Sequence, residues 1–109
     1  MAKRHLNWPW WRKWRISATV ASVYDAPDRL RRKQAVLVGT LTHPKWLIFN
    51  CPCRRHHRVM INLNPAQRPA WNVVKTSPLT LTPSVDETLV GSRCHYIVHN
   101  GRIHWTSSS

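Results

Sequence analysis

Cys51-Pro52-Cys53-Arg54-Arg55-His56-His57 is the stretch on which the fold turns, and Cys94-His95 answers it some forty residues later. All three cysteines of the chain fall in these two segments, together with three of its seven histidines. Thiolate and imidazole are the ligands zinc prefers, and a tetrahedral site takes four of them. Two cysteines from one short turn, a neighbouring histidine and one remote Cys or His would close such a site. A metal shared between the segments would staple the C-terminal half together. In a chain of 109 residues that staple contributes directly to folding.

The spacing is unusual. Zinc knuckles present C-x2-C, whereas only Pro52 separates Cys51 from Cys53, and proline fixes φ and removes a donor. A C-P-C turn still aims both sulfurs at one ion. The competing readings are buried thiols acting as small hydrophobes and a disulfide. Bridging Cys51 to Cys53 would strain the bond, and three cysteines leave one unpaired. The N-terminus is basic but continues as Trp-Pro-Trp-Trp-Arg-Lys-Trp-Arg rather than an apolar signal core. No apolar run reaches bilayer length. The expectation is therefore a cytoplasmic protein with reduced thiols, which favours metal over disulfide.

The length allows one domain with one core. Seven of the ten aromatic residues are Trp, and 17 Lys and Arg against four acids give a formal charge of +13. Such a field attracts anions: nucleic acid, lipid headgroups or an acidic protein surface. Nine of the cations lie within residues 1–33, faced only by Asp25 and Asp28.

Residues 1–16 read as a Trp/Arg-rich N-terminal segment. If residues 10–16 are helical, Trp10, Trp11 and Trp14 share a face and leave the cations on the other, a pattern suited to membrane interfaces or nucleic-acid stacking. The favoured expectation is that the indoles pack onto the domain and the cations face water. Residues 17–106 read as a single small β-rich zinc-binding domain, and 107–109 as a frayed tail. Strands are expected over Ile16–Tyr24, Ala35–Gly39, Lys45–Phe49, Val59–Asn64, Trp71–Val74, Leu79–Val85, Cys94–Val98 and Arg102–Trp105. Turns are expected at Asp25–Asp28 and Asp86–Gly91, a loop at Pro65–Pro69, and a hairpin at Asn100-Gly101. The fold class is mainly β, β-rich or α+β, with a zinc-stapled hairpin and room for a short N-terminal helix.

Four blocks in order carry a further signal: K-W-L-I-F-N-C-P-C at 45–53, H-R-V-M-I-N-L at 57–63, L-T-L-T-P-S-V at 79–85 and C-H-Y-I-V-H-N-G-R-I-H-W at 94–105. Together they resemble domain-of-unknown-function family 6527, small proteins encoded beside bacterial ubiquitin-like modifiers and their E1- and E2-like enzymes. The resemblance covers roughly residues 35–105. It implies a peptidase that trims the modifier's C-terminus or removes it from targets. Many members carry a glycine-rich turn after C-P-C, often with a further Cys, and a later C-x-S-H-[FY]. This chain has Arg54-Arg55-His56-His57 and Ser92-Arg93-Cys94-His95 in those places. The departures imply a rearranged ligand set in which Cys51 and Cys53 are joined by His57 and Cys94, with His56 and His95 as alternatives.

The same resemblance aligns Ser84 with the family's P-S position and His95 with its final histidine, which implies a Ser84 nucleophile with His95 as its base. Asp86 is the acid close in sequence that could orient the imidazole, with Glu87 a poorer second. Adjacent strand residues point to opposite faces, so a Cys94 bound to metal leaves His95 free to face Ser84. Metal-bound water and a Cys94 nucleophile are the other schemes, ranked behind serine.

Two function classes follow. The first is a peptidase acting on a ubiquitin-like modifier, with a structural zinc, an extended tail bound along a strand edge and Trp71 or Trp105 walling the groove. The second is a non-enzymatic zinc-stabilised basic module binding nucleic acid or an acidic partner, supported by the charge and opposed by the lack of any nucleic-acid-binding motif.

Overall fold

Ala35, Val36, Leu37 and Val38 are all buried, as expected of a continuous apolar run with a partner strand on each side. In the computed structural model, which describes residues 12–53, 57–89 and 92–106, they form the centre of β2 (Gln34–Gly39). β1 (Arg15–Val20) pairs parallel to β2, while β3 (Pro44–Asn50) and β4 (Arg58–Asn62) extend the sheet antiparallel in the order β1-β2-β3-β4. β5 (Asn72–Thr76) and β6 (Leu79–Thr82) form a two-stranded sheet. β7 (Val85–Leu89), β8 (Ser92–His99) and β9 (Arg102–Trp105) form a third, all antiparallel. The β-dominated fold is as the alternating apolar pattern demands.

The three sheets share one core. Leu37, Leu47, Phe49, Val59 and Ile61 of the first sheet meet Leu79 and Leu81 of the second and Val85, Tyr96 and Val98 of the third. Burying side chains of this size stabilises by roughly 1.5–3 kcal/mol each. The opposite face of β2 is met by the segment joining β1 to β2: Val36 shares a groove with Pro27 and Leu30. Arg58 Nη2 anchors this segment by donating to the carbonyls of Pro27 and Asp28, both at 2.8 Å, and Asn50 Nδ2 donates to Leu30 at 3.1 Å.

Trp14 also belongs to the core. It is buried and meets Phe49 edge-on at 5.8 Å between ring centroids. Its backbone N–H donates to Gly101 O and its carbonyl accepts from Leu79 N, both at 2.8 Å. The stretch read as a separate N-terminal segment thus gives Trp14, Arg15 and Ile16 to the fold. Residues 12–14 are not helical, and the main-chain groups of Trp14 bond to Gly101 and Leu79 instead. Trp8, Trp10, Trp11 and the 107–109 tail lie outside the described residues.

Three element boundaries differ from expectation. The first strand stops at Val20, and Val23–Asp25 form a 3-10 turn whose start is capped by Ser22 Oγ accepting from Tyr24 N at 3.2 Å. The expected strand Leu79–Val85 is two strands, because Pro83 lacks the N–H a ladder needs and breaks the pairing between Thr82 and Val85. Asp86–Leu89, expected as a turn for its acids, instead pairs with Ser92–His95; an edge strand leaves acids on its open face free to meet water. The Asn100-Gly101 turn matches expectation, with φ of 52° and 77°, the double left-handed geometry of a tight hairpin.

Candidate active site and thiol–imidazole cluster

β8 supplies both halves of the site. Alternation along a strand sends Cys94 to one face and His95 to the other. Across the β7–β8 ladder Cys94 stands opposite Glu87, and His95 opposite Asp86. Cys94 is buried in the core, whereas His95 faces the turn that enters β7. There its Nε2 lies 2.9 Å from Ser84 Oγ. When the hydroxyl donates, Nε2 is the bare nitrogen and the ring proton sits on Nδ1, the tautomer a general base requires.

Both backbones are held in place. Trp71 Nε1 donates to Ser84 O at 3.0 Å. His95 O accepts from Thr106 N at 3.0 Å and from Thr106 Oγ1 at 3.2 Å. These two anchors escaped sequence reasoning, which placed Trp71 only as a groove wall. The available signal was that an indole N–H is donor-only and, when partly buried, wants an acceptor. Trp105 is about half exposed and lies against Tyr96, ring centroids 5.1 Å apart.

Asp86 does not orient His95. Its carboxylate takes both contacts from Arg93, at 2.9 Å from Nε and 2.6 Å from Nη2. Arg93 lies two residues before His95 on the same face, and its two-pronged guanidinium outcompetes an imidazole for a carboxylate. The hydrogen bond from Arg93 holds the Asp86 carboxyl below its usual range. Among the described residues no carboxylate is hydrogen-bonded to the His95 ring.

On the other face, the ligand atoms of Cys51, His57 and Cys94 all lie within 4.8 Å of one another. Cys53 adjoins them, its Sγ 3.4 Å from His57 Nδ1. The turn between β3 and β4 that carries three of these residues is closed by Cys51 N donating to His57 O at 2.8 Å. Of the alternatives left open by the sequence, His57 and Cys94 are in the cluster and His95 is not; His56 lies outside the described residues. No disulfide joins the cysteines. Cys94, buried and committed to this cluster, is not placed to be a nucleophile.

The surroundings suit a cation. His57 Nε2 is buried with no hydrogen-bond partner, and its other nitrogen faces a sulfur, so ordinary hydrogen bonding does not account for the ring. Burial pushes the Cys51 thiol up to about 12 and raises that of Cys94. Tyr96 is raised as well, chiefly by burial and then by Cys51; its hydroxyl lies toward that thiol without a hydrogen bond of ordinary geometry. Protein groups alone therefore keep these thiols neutral. A bound metal reverses this, because the thiolate is the ligand.

The described residues form a β protein in which a serine–histidine contact lies back to back with a cysteine–histidine group that could hold a metal ion. The chain belongs to the family of bacterial ubiquitination-like system serine proteases (BubE), whose family model matches residues 22–106. That setting agrees with the one implied by the resemblance in the four sequence blocks. No curated protein and no solved structure matches the chain. No helix among the described residues is long and apolar enough to cross a membrane.

Proposed function

We propose that the protein is a serine peptidase that processes a bacterial ubiquitin-like modifier or releases it from its conjugates. The observation that carries this reading is the 2.9 Å contact between Ser84 Oγ and His95 Nε2, in a chain whose family is named for serine proteases. Ser84 Oγ attacks the scissile carbonyl carbon as its proton passes to His95 Nε2. The imidazolium then gives that proton to the departing amine, leaving an acyl-enzyme. Water attacks the ester as His95 takes its proton, and the imidazolium returns that proton to Ser84 Oγ as the ester bond breaks and the carboxylic acid product leaves. Trp71 and Thr106 hold the two residues within reach through their backbones.

Cys51, Cys53, His57 and Cys94 would hold a zinc ion. It would supply structural bracing, tying the β3–β4 turn to β8. Four protein donors leave no open position for a reactive water, which favours serine chemistry over metal-activated water. The partners are the modifier and the E1- and E2-like enzymes of its system. An extended modifier tail pairing along an edge of the third sheet would pass close to Ser84. Incubating the purified protein with a modifier precursor extended beyond its mature C-terminus tests the reading. Cleavage by the wild type and none by Ser84→Ala supports it; equal cleavage by both overturns the serine assignment.

A further inference from the structure

A basic cleft lies apart from Ser84 and His95, neither of which lines it. It has a volume of about 650 Å³ and is lined by Arg12, Lys13, Arg32, Lys33 and Arg102. Its floor includes Trp14, Pro52 and Ile103, and no acid lines it.

Three separated segments supply these cations, and backbone bonds hold the segments together. Trp14 N donates to Gly101 O at 2.8 Å, binding residues 12–14 to the turn that precedes Arg102. Arg15 N donates to Lys33 O at 3.1 Å, and Lys33 Nζ donates to Arg12 O at 2.9 Å. The stem of Lys13 lies over Gly101 so closely that a Cβ there would come within 2.5 Å of Lys13 Cβ. Fixing like charges around a cleft with no acid in its lining opposes folding by self-repulsion, and it concentrates positive potential inside. An anion in the cleft offsets that cost.

We infer that this cleft binds a phosphate-bearing small molecule of nucleotide size. Its volume falls within the range of small-molecule sites, which combine apolar walls with a few convergent polar groups. Guanidinium groups match phosphate oxygens two at a time. The apolar floor receives the non-phosphate part of the ligand. Arg12, Lys13 and Arg102 are the phosphate contacts, while Lys33 already spends one bond on the Arg12 carbonyl. A site of this volume fits one ligand of nucleotide size. The cleft touches the thiol–imidazole cluster only through Cys51, so its occupancy is read by binding alone.

The test is calorimetric titration of the full chain with ADP, with inorganic pyrophosphate and with a single-stranded oligonucleotide, at fixed salt. ADP is expected to bind, and Arg102→Glu and Lys13→Glu are each expected to weaken it by about tenfold or more. Arg68→Glu, an exposed charge reversal outside the cleft, is expected to leave it unchanged. Pyrophosphate is expected to bind more weakly than ADP, and the Trp14 indole resonance is expected to shift only with ADP. Equal affinity for pyrophosphate and ADP would take the apolar floor out of the site and overturn the nucleotide-sized ligand. Oligonucleotide binding that Arg68→Glu weakens as much as Arg102→Glu would mean diffuse surface charge and overturn the site itself.

Discussion

Trp71 Nε1 and the Ser84 carbonyl oxygen are 3.0 Å apart, a bond that spans the whole β5–β6 hairpin. Ser84 follows Pro83, where the chain leaves one sheet for another, so this indole helps to set where the serine hydroxyl points. Trp71→Phe keeps the ring and removes the donor. Cleavage by that variant should fall through kcat with KM little changed, by about tenfold, as for one neutral hydrogen bond. Steady-state kinetics against a modifier precursor would show it; a change in KM alone would make Trp71 a binding surface instead.

Ser84→Ala and His95→Ala should each remain folded and lose cleavage by about a thousandfold or more, with the double variant scarcely worse than either, because a nucleophile and its base act as a unit. Single-turnover rates with circular dichroism as a folding control separate loss of chemistry from loss of fold.

Asp86→Asn should keep most of the activity, because the carboxylate is held by Arg93 and not by the imidazole. A lowered carboxylate pKa contributes stability at neutral pH that is lost as pH falls through the folded-state value. The wild type should therefore lose the Asp86 contribution in acid and the variant should lack it at every pH. Melting curves against pH give that comparison. A collapse of cleavage in Asp86→Asn would restore a triad.

Metal analysis should find one zinc per chain. Because its thiols must shed protons to bind, affinity should fall as pH drops. Cys53→Ala or chelator should yield a loosened, poorly soluble protein rather than a folded inactive one. Metal-free protein that still unfolds cooperatively would remove the ion from the folding argument.

Trp14→Ala should destabilise by about 3–5 kcal/mol, the range for emptying a large aromatic from a core. Removing residues 1–15 should for the same reason abolish folding. Denaturant titration measures both. Retention of a cooperative transition by the truncated chain would show that Phe49 finds another cover.

Much of this was readable before any coordinates. Alternating and continuous apolar runs placed most strands because burial of one or both faces imposes those periods. The cysteine and histidine spacing points to a cluster but leaves His56 or His57, and Cys94 or His95, open; strand alternation separates Cys94 from His95. What escaped were matters of long-range partnership. Packing of the N-terminal indoles onto the domain is the expectation and Trp14 meets it, but nothing local names Gly101, Leu79 and Phe49 as its partners. Asp86 was plausible for His95 until Arg93, two residues earlier on the same face, claimed it. The strand expected from Leu79 to Val85 runs through Pro83, and nothing local says that the chain changes sheets there.

The back-to-back placement of Cys94 and His95 also limits how such a protein can evolve. Inserting or deleting one residue between the start of β8 and this pair would exchange their faces, aiming an imidazole at the sulfurs and a thiol at Ser84. Such a shift disturbs both sites at once, whereas a substitution on one face need not touch the other. Cluster residues on one side can be exchanged by substitution as long as the phase of this single strand is preserved.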